Sequence, residues 1–359
     1  MQHYIGLMSG TSLDGVDAAL VAFDGDTGRV CKTAFFPYPD DLKQVLLRLH
    51  EPSHNELELS QTVSIRLAEL YAKTVKALLD ESTVIHAIGC HGQTIRHRPE
   101  LGFTLQLNNP ALLAELCGIT VVADFRSRDI AAGGQGAPLV PAFHRSVFRH
   151  TDIHRTILNI GGISNLTDLP CSGEVTGFDC GLGNLLMDAW CQKHTGKSYD
   201  NGGEWAATGN VLPQLLDAML AHPFFSLPPP KSTGRDMFNM TWLEKMVLPE
   251  HRPQDVQATL LELTAQGIAD AITAYCSGSQ EVYLCGGGAH NLALTARLAT
   301  LLPQTRFALT DELGIAADWV EAAAFAWLAK QTLEGKPGNL PIVTGAKGYR
   351  ILGAIHLAS

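Results

Sequence analysis

Three short stretches of this 359-residue chain combine glycine with hydroxyls or a carboxylate in the way phosphate chemistry requires. They are Gly10-Thr11-Ser12-Leu13-Asp14-Gly15-Val16-Asp17, then Gly161-Gly162 after Asn159-Ile160, and Gly286-Gly287-Gly288 before Ala289-His290-Asn291. A glycine-rich turn lets backbone N–H groups close on an anion because no Cβ stands in the way. One such turn ends a strand in any α/β protein. Three, in corresponding places of two half-chains, make phosphate binding the better reading. None has the GxxxxGK[ST] spacing, and no GxGxxG opens a helix after the first strand, so neither a P-loop nor a dinucleotide fold is supported. Asp14 suits Mg²⁺, which one or two carboxylates hold beside nucleotide phosphates. It can equally be no more than the Asp of an Asp-Gly turn.

A second kind of chemistry resides in Gly177-Phe178-Asp179-Cys180-Gly181-Leu182-Gly183-Asn184. The pattern predicts Asp179 at a glycine-flanked turn between a strand and a helix that begins near Asn184. A carboxylate at a strand end can act as general base, or can cap the helix; the flanking glycines favour catalysis. Further polar clusters stand apart from any apolar periodicity: His91-Gly92-Gln93-Thr94, Asp124-Phe125-Arg126-Ser127-Arg128-Asp129 and Lys231-Ser232-Thr233-Gly234-Arg235. Arg126 and Arg128 can hold a carboxylate or phosphate by bidentate forks. On spacing, an ion network with Asp124 and Asp129 is the stronger alternative.

These residues need elements to position them. Ile5–Met8 and Val16–Phe23 read as a strand pair around the first turn, and helices are predicted over 40–50 and from Glu56 to about Leu79. Val84–Gly89 reads as a short strand that empties into a His91–Thr94 loop. A helix (Pro110–Cys117) and a strand (Ile119–Ala123) follow. The same grammar restarts near residue 154: strand 156–160, glycine turn, returning strand 165–169, helices over 183–194 and about 254–277, then strand 282–285. Three consecutive prolines at 228–230 predict an ordered loop. Strand, glycine turn and strand recur in each half, which points to a duplication and to two α/β domains flanking a cleft. The division is placed at 1–140 and 141–359, with the C-terminal tail free to return to the first domain.

Composition excludes several classes. Lys+Arg 26 against Asp+Glu 36 gives a net charge of -10 without any basic run, a poor basis for binding nucleic acid. No signal sequence and no apolar run of membrane-spanning length is present, so a cytoplasmic protein with no membrane association is expected. Eight cysteines without a CxxC pair read as reduced thiols, and no histidine spacing suggests zinc.

The motifs Met8–Asp17, His91–Thr94, Asp124–Arg126, Ala132–Leu139, Asn159–Ile163 and Leu284–Asn291, in this order from residue 5 to about 350, resemble the anhydro-N-acetylmuramic acid kinase family. The resemblance implies an actin/hexokinase-like fold of two duplicated ribonuclease H-like domains. It also implies ATP and Mg²⁺ as cofactors, a homodimer, and a place in peptidoglycan recycling. The implied substrate, 1,6-anhydro-N-acetylmuramic acid, has O6 tied to C1. Water would attack C1 with Asp179 as base, and the released O6 would take the γ-phosphoryl group. By the same likeness Gly10–Asp17 would be a first phosphate loop with Asp14 near the metal, Gly161-Gly162 a second, and Gly286–Gly288 would lie against the nucleotide. Thr94, Arg128 and Glu321 would meet the sugar, Arg128 at the lactyl carboxylate and Glu321 at hydroxyls. Glu321 also suits a helix N-terminus. Where the family reads Phe-Asp-Thr-Gly-Pro-Gly-Asn, this chain has Cys180 and Leu182, losing a hydroxyl donor and freeing one φ angle near the base. The alternatives are a related kinase acting on an ordinary sugar hydroxyl and a non-catalytic ATP-binding regulator of the same fold.

Overall fold

The computed structural model describes residues 1–359 except Thr11, Asp26, Glu51, Pro52, His54, Glu81, Asp236 and Ser359. Its strands are β1 (Gln2–Ser9), β2 (Gly15–Asp24), β3 (Thr27–Pro37), β4 (Ile85–Arg98), β5 (Phe103–Leu107), β6 (Val121–Ala123), β7 (Arg155–Ile160), β8 (Ile163–Leu169), β9 (Thr176–Leu182), β10 (Glu281–Cys285), β11 (Arg306–Leu309) and β12 (Ala354–His356). They form two sheets, in the orders β12-β6-β4-β1-β2-β3 and β11-β10-β7-β8-β9, with β5 paired to β4.

The two sheets share one plan. β1, β2 and β3 form an antiparallel meander, and β4 and β6 add in parallel on the other side of β1. β7, β8 and β9 repeat the meander, and β10 and β11 repeat the parallel addition beside β7. This is the duplicated α/β frame of ribonuclease H-like domains. In each sheet the first, third and fourth strands of the plan run the same way, so their carboxyl ends share one edge, where ligands of α/β sheets are held.

Two details differ from the sequence expectation. β4 does not stop at Gly89 but continues to Arg98, so His91–Thr94 lies inside a strand. Its second half pairs with β5, from Gln93 opposite Leu107 to Arg98 opposite Phe103, and this hairpin of mixed polarity carries little period-2 signal. Asp179 likewise lies within β9, not in a turn. A bulge at Cys180 shifts the register, so that Ser164 faces Gly181 and Asn165 faces Asp179.

The chain divides into two compact units, Met1–Val147 with Trp319–Ser359, and Phe148–Asp318. The boundary placed at 140/141 thus falls at 147/148 in these units, and the C-terminal segment left free to return to the first domain belongs with it from Trp319. Packing explains the return of the C-terminal segment. Gly6 of β1 and Gly89 of β4 are register partners, and they leave a flat place on the sheet. A Cβ on Gly6 would fall 1.8 Å from Ala322 O, and one on Gly89 2.0 Å from Phe325 O. The alanine-rich helix Val320–Leu333 rests its backbone there and is buried almost throughout. In the second unit the 23-residue helix Pro253–Tyr275 packs on β9. Among the described residues, no helix is long and apolar enough to cross a membrane.

Candidate active site

In the first unit, the loop Gly10–Asp14 joins β1 to β2 at the carboxyl edge. Thr11 lies outside the described residues. Leu13 turns back with φ 61° and buries its side chain in the core. Gly15 is pressed against β3, where a Cβ would meet Phe36 O at 2.3 Å, and Val16 is fully buried. Asp17 sits in β2 opposite Met8. Leu13, Gly15 and Val16 therefore serve the fold with their side-chain positions, and only their backbone can reach a ligand. Gly10, Ser12 and Asp14 are different. A Cβ on Gly10 would find nothing nearer than Ser12 Oγ at 3.7 Å, and Ser12 and Asp14 are exposed.

The carboxyl end of β6 runs into Asp124–Asp129, and the ion network favoured on spacing does not form. Asp124 accepts from Ser127 Oγ at 2.5 Å. The buried Asp129 accepts from Asn339 Nδ2 (2.7 Å), Thr344 Oγ1 (2.8 Å) and Gly136 N (2.8 Å), tying the glycine-rich loop to the C-terminal segment. Arg126 donates from Nε to His91 Nε2 at 3.1 Å and from a terminal nitrogen to Gly136 O at 2.8 Å. His91 Nδ1 lies 3.3 Å from Ser9 O, so the ring is neutral, donating to the carbonyl and accepting from the guanidinium. Burial first and the Arg126 charge second hold its pKa well below the usual histidine value. Burial lowers Arg126 to about 10, against the opposing pull of Glu321 and Asp129.

Glu321 opens the helix Val320–Leu333 and feels the Arg126 charge. Burial raises its pKa while Arg126 pulls it down. Arg128 is exposed and makes no side-chain hydrogen bond among the described residues. Thr94 is half-buried and accepts from Gln106 Nε2 at 3.2 Å, which leaves its hydroxyl proton to donate. The first unit thus places Thr94, Arg128 and Glu321 on elements that meet its carboxyl edge.

In the second unit, the Gly161-Gly162 turn is tied down through its carbonyls. Asn184 N donates to Gly161 O at 2.8 Å, and Gly183 N and Leu185 N donate to Gly162 O at 3.0 and 3.1 Å. These bonds set the turn on the start of helix Leu185–Thr195. Neither glycine has a left-handed φ, and a Cβ on Gly161 or Gly162 would find its nearest neighbour at 3.6 or 3.8 Å. The fold does not demand glycine at either place. Gly287 is open in the same sense, whereas a Cβ on Gly288 would strike Ile160 Cγ2 at 2.2 Å and Gly286 has φ 78°. Cys285 pairs with Asn159 across β10 and β7, so both glycine turns leave neighbouring strand ends.

Asp179 stands three residues before the end of β9. The polar segment after the prolines covers it: Lys231 O accepts from Asp179 N at 3.1 Å, and Thr233 N donates to Asp179 Oδ2 at 2.9 Å. Burial pushes the carboxyl up to about 6, and the Thr233 N–H only partly opposes this. Lys231 is held away from the carboxylate, its Nζ 3.3 Å from Phe224 O and 4.7 Å from the Phe224 ring centroid. Cys180 is buried and donates to Ser164 O at 3.2 Å. Its side chain serves the interior of the unit, and the thiol is pushed up by burial.

Sequence reasoning named Thr233 only as part of a polar cluster and missed its role, because its contribution is a backbone N–H that any residue but proline supplies. It also missed Asn184 as a fastening of the turn. Among the described residues, no group of three or more His, Cys, Asp or Glu side chains gathers to hold a metal ion. A Mg²⁺ coordinated chiefly by phosphate oxygens and water needs only one or two carboxylates, and the exposed Asp14 fits that demand.

A family model described as anhydro-N-acetylmuramic acid kinase matches residues 2–358. The chain is 58% identical to the anhydro-N-acetylmuramic acid kinase of Nitrosomonas europaea, covering 99% of this chain and 100% of that one. It is 58% identical to that of Nitrosospira multiformis, over 99% of each chain. It is 56% identical to that of Thiobacillus denitrificans, over 99% of this chain and 98% of the relative.

Proposed function

The chain belongs to the anhydro-N-acetylmuramic acid kinase family, and from that premise we propose how its own residues carry the reaction. The enzyme is an ATP-dependent sugar kinase. It opens 1,6-anhydro-N-acetylmuramic acid with water and phosphorylates O6, giving N-acetylmuramate 6-phosphate and ADP, a step of cell-wall recycling. Water supplies the new C1 hydroxyl and the C1–O6 bond breaks. O6 takes the γ-phosphoryl group, and the water proton passes to Asp179.

The observation that carries this assignment is the state of Asp179. An ordinary aspartate, with a pKa near 3.8, is a weak base at neutral pH. A carboxyl raised to about 6 is ionised at pH 7 and takes a proton more readily. Thr233 N and Lys231 O fix its position from the covering segment. The open glycines Gly10, Gly162 and Gly287 supply backbone donors for nucleotide phosphates; Gly161, whose N–H donates to Ile163 O at 3.3 Å, supplies open space beside them, while Gly15, Gly286 and Gly288 give those loops their shape. Thr94, Arg128 and Glu321 bind the sugar, Arg128 as the exposed cation for the lactyl carboxylate. Mg²⁺ held at Asp14 with the phosphates would neutralise charge on the transferred group. The same proposal includes a cytoplasmic homodimer that binds no nucleic acid; the net charge of -10 supports the last point, and eight cysteines without a disulfide among the described residues support a reducing compartment.

Incubation with ATP, Mg²⁺ and the anhydro sugar in ¹⁸O-water tests the chemistry. The expected product carries the label at C1 and not in the phosphate ester, and Asp179→Asn loses the reaction. An unlabelled C1, or equal phosphorylation of ring-opened N-acetylmuramate, would identify a kinase of ordinary hydroxyls instead.

A further inference from the structure

The loop Gly10–Asp14 is fastened at one end by the side chain of Gln93 and at the other by the backbone N–H of Tyr38, and the two buried side chains bond to each other. Gln93, fully buried in β4, donates from Nε2 to Gly10 O at 3.1 Å. Its Oε1 accepts from Tyr38 OH at 3.1 Å. Tyr38 N in turn donates to Asp14 O at 3.0 Å. The circuit Gly10–Gln93–Tyr38–Asp14 closes across the mouth of the loop and bridges β4 to the segment after β3. The amide of Gln93 has one possible orientation, because a carbonyl at Gly10 can only accept and so must face Nε2. Burial pushes the Tyr38 phenol up to about 12, so it stays a donor at working pH.

A second layer lies beneath the first. Ser9 Oγ is 2.8 Å from Tyr71 OH and donates to Gly92 O at 3.0 Å, which holds the end of β1 against β4. Tyr38 and Tyr71 are each almost wholly buried. Two buried tyrosines and a buried glutamine are a costly set of polar groups to place in an apolar unit. Gln93 and Tyr38 meet the loop at Gly10 and Asp14 and Tyr71 meets Ser9 just before it, while the loop's outward residues Gly10, Ser12 and Asp14 have no packing duty.

We propose that Gln93 and Tyr38 are positioning residues for phosphoryl transfer, a clasp that presets the backbone of the Gly10–Asp14 loop for the nucleotide phosphates. The proposal rests on the assignment of that loop to the nucleotide. Neither side chain touches a reacting atom; each acts through the loop it fastens. Preorganisation of this kind saves the ordering that binding would otherwise require, so its loss falls on the substrate bound by the loop.

The test uses the full-length enzyme with ATP and the anhydro sugar varied independently. Tyr38→Phe removes the hydroxyl and keeps the Tyr38 N bond to Asp14, and Gln93→Met removes the amide contacts to Gly10 O, Tyr38 OH and Thr94 O at similar volume. Each variant is expected to raise KM for ATP about three- to tenfold, the worth of one neutral hydrogen bond, with KM for the sugar within about twofold. The double variant is expected to be no worse than the weaker single one, because the two act through one circuit. Gly10→Val is the control for the loop: its Cβ has room inside the protein but would obstruct a close-lying phosphate. If Gly10→Val leaves KM for ATP unchanged, the loop does not hold the nucleotide and the proposal falls with that assignment. If Gly10→Val raises it while Tyr38→Phe and Gln93→Met do not, the loop assignment survives and the clasp is refuted. Equal losses for both substrates accompanied by a lowered Tm would make the pair merely structural, and would also refute it.

Discussion

Replacing Asp179 by asparagine should abolish turnover and at the same time stabilise the protein at neutral pH. The carboxyl is buried with one side-chain hydrogen bond among the described residues, from Thr233 N at 2.9 Å. Burial therefore raises its pKa from 3.8 to about 6. With the folded pKa above the unfolded one, the folded state binds more protons between these two values. Stability is thus fully present below about pH 4, falls as pH rises through about 6, and stays low beyond. A shift of about 2 units corresponds to about 3 kcal/mol. Asparagine keeps the shape and an oxygen for the Thr233 N–H but carries no charge. The variant is expected to gain up to about 3 kcal/mol at pH 8, about half of that at pH 5, and little at pH 4. Activity is expected to fall by about 10²–10⁴, the usual worth of a positioned base. Urea denaturation of both proteins at pH 5 and pH 8 reads the stability difference, and the pH dependence of kcat/KM reads the base. The wild-type rate should lose about tenfold per pH unit below about 6. A variant less stable than wild type at pH 8, or a wild-type rate flat down to pH 4, would show that Asp179 is not a desolvated base.

Four further outcomes follow from the same geometry. Gly89→Ala drives a Cβ to 2.0 Å from Phe325 O and is expected to destabilise by about 3 kcal/mol or more in a urea titration. Gly162→Ala, with its nearest neighbour at 3.8 Å, is expected to leave stability within about 0.5 kcal/mol and to weaken ATP binding by calorimetry. Thr233→Pro deletes the N–H that favours the charged carboxylate, so the acid limb of the rate profile should move upward by about one pH unit. Cys180→Thr restores the residue usual in the family. Because this side chain faces Ser164 O inside the unit, kcat is expected to change by less than about threefold, measured at saturating substrates.

The legible parts of the sequence were those where local chemistry and fold agree. Glycine turns after apolar strands marked Gly10–Asp14, Gly161-Gly162 and Gly286–Gly288, because a turn at a strand end is a local event. Helix Pro110–Cys117 was bounded to the residue by its N1 proline and the following Gly118. The less legible parts depend on distant partners. β3 carries alternating exposed polar side chains on an edge strand, and only its ladder with β2 gives it order. His91–Thr94 looks like a loop until β5 arrives to pair with the rest of β4. Gly6 and Gly89 look like weak points within strands, and their reason is a helix more than 230 positions later in the chain. The environment of Asp179 was the least legible, since it is made by a backbone N–H from residue 233.

The duplicated frame also shows how Asp179 comes by its setting. The third residue of the second strand of each meander is Asp17 in β2 and Asn165 in β8, and their partners on the next strand are Phe35 and Asp179. Equivalent positions in two copies of one plan thus hold an aromatic ring and a carboxyl. Phe35 is 48% exposed, and a carboxyl with that exposure would keep an ordinary pKa. Asp179 is covered by Lys231–Thr233, which belongs to the long stretch between helices Leu185–Thr195 and Pro253–Tyr275. In the first unit the chain passes from β3 through two helices, Asp40–His50 and Glu56–Leu78, to β4, with no comparable covering segment among the described residues. The shared sheet therefore accounts for where a side chain meets the carboxyl edge, and the added segment accounts for its acidity. On this basis a carboxyl placed at position 35 would remain an ordinary surface acid, and shortening the 228–233 segment would return Asp179 toward 3.8 while leaving the second sheet intact.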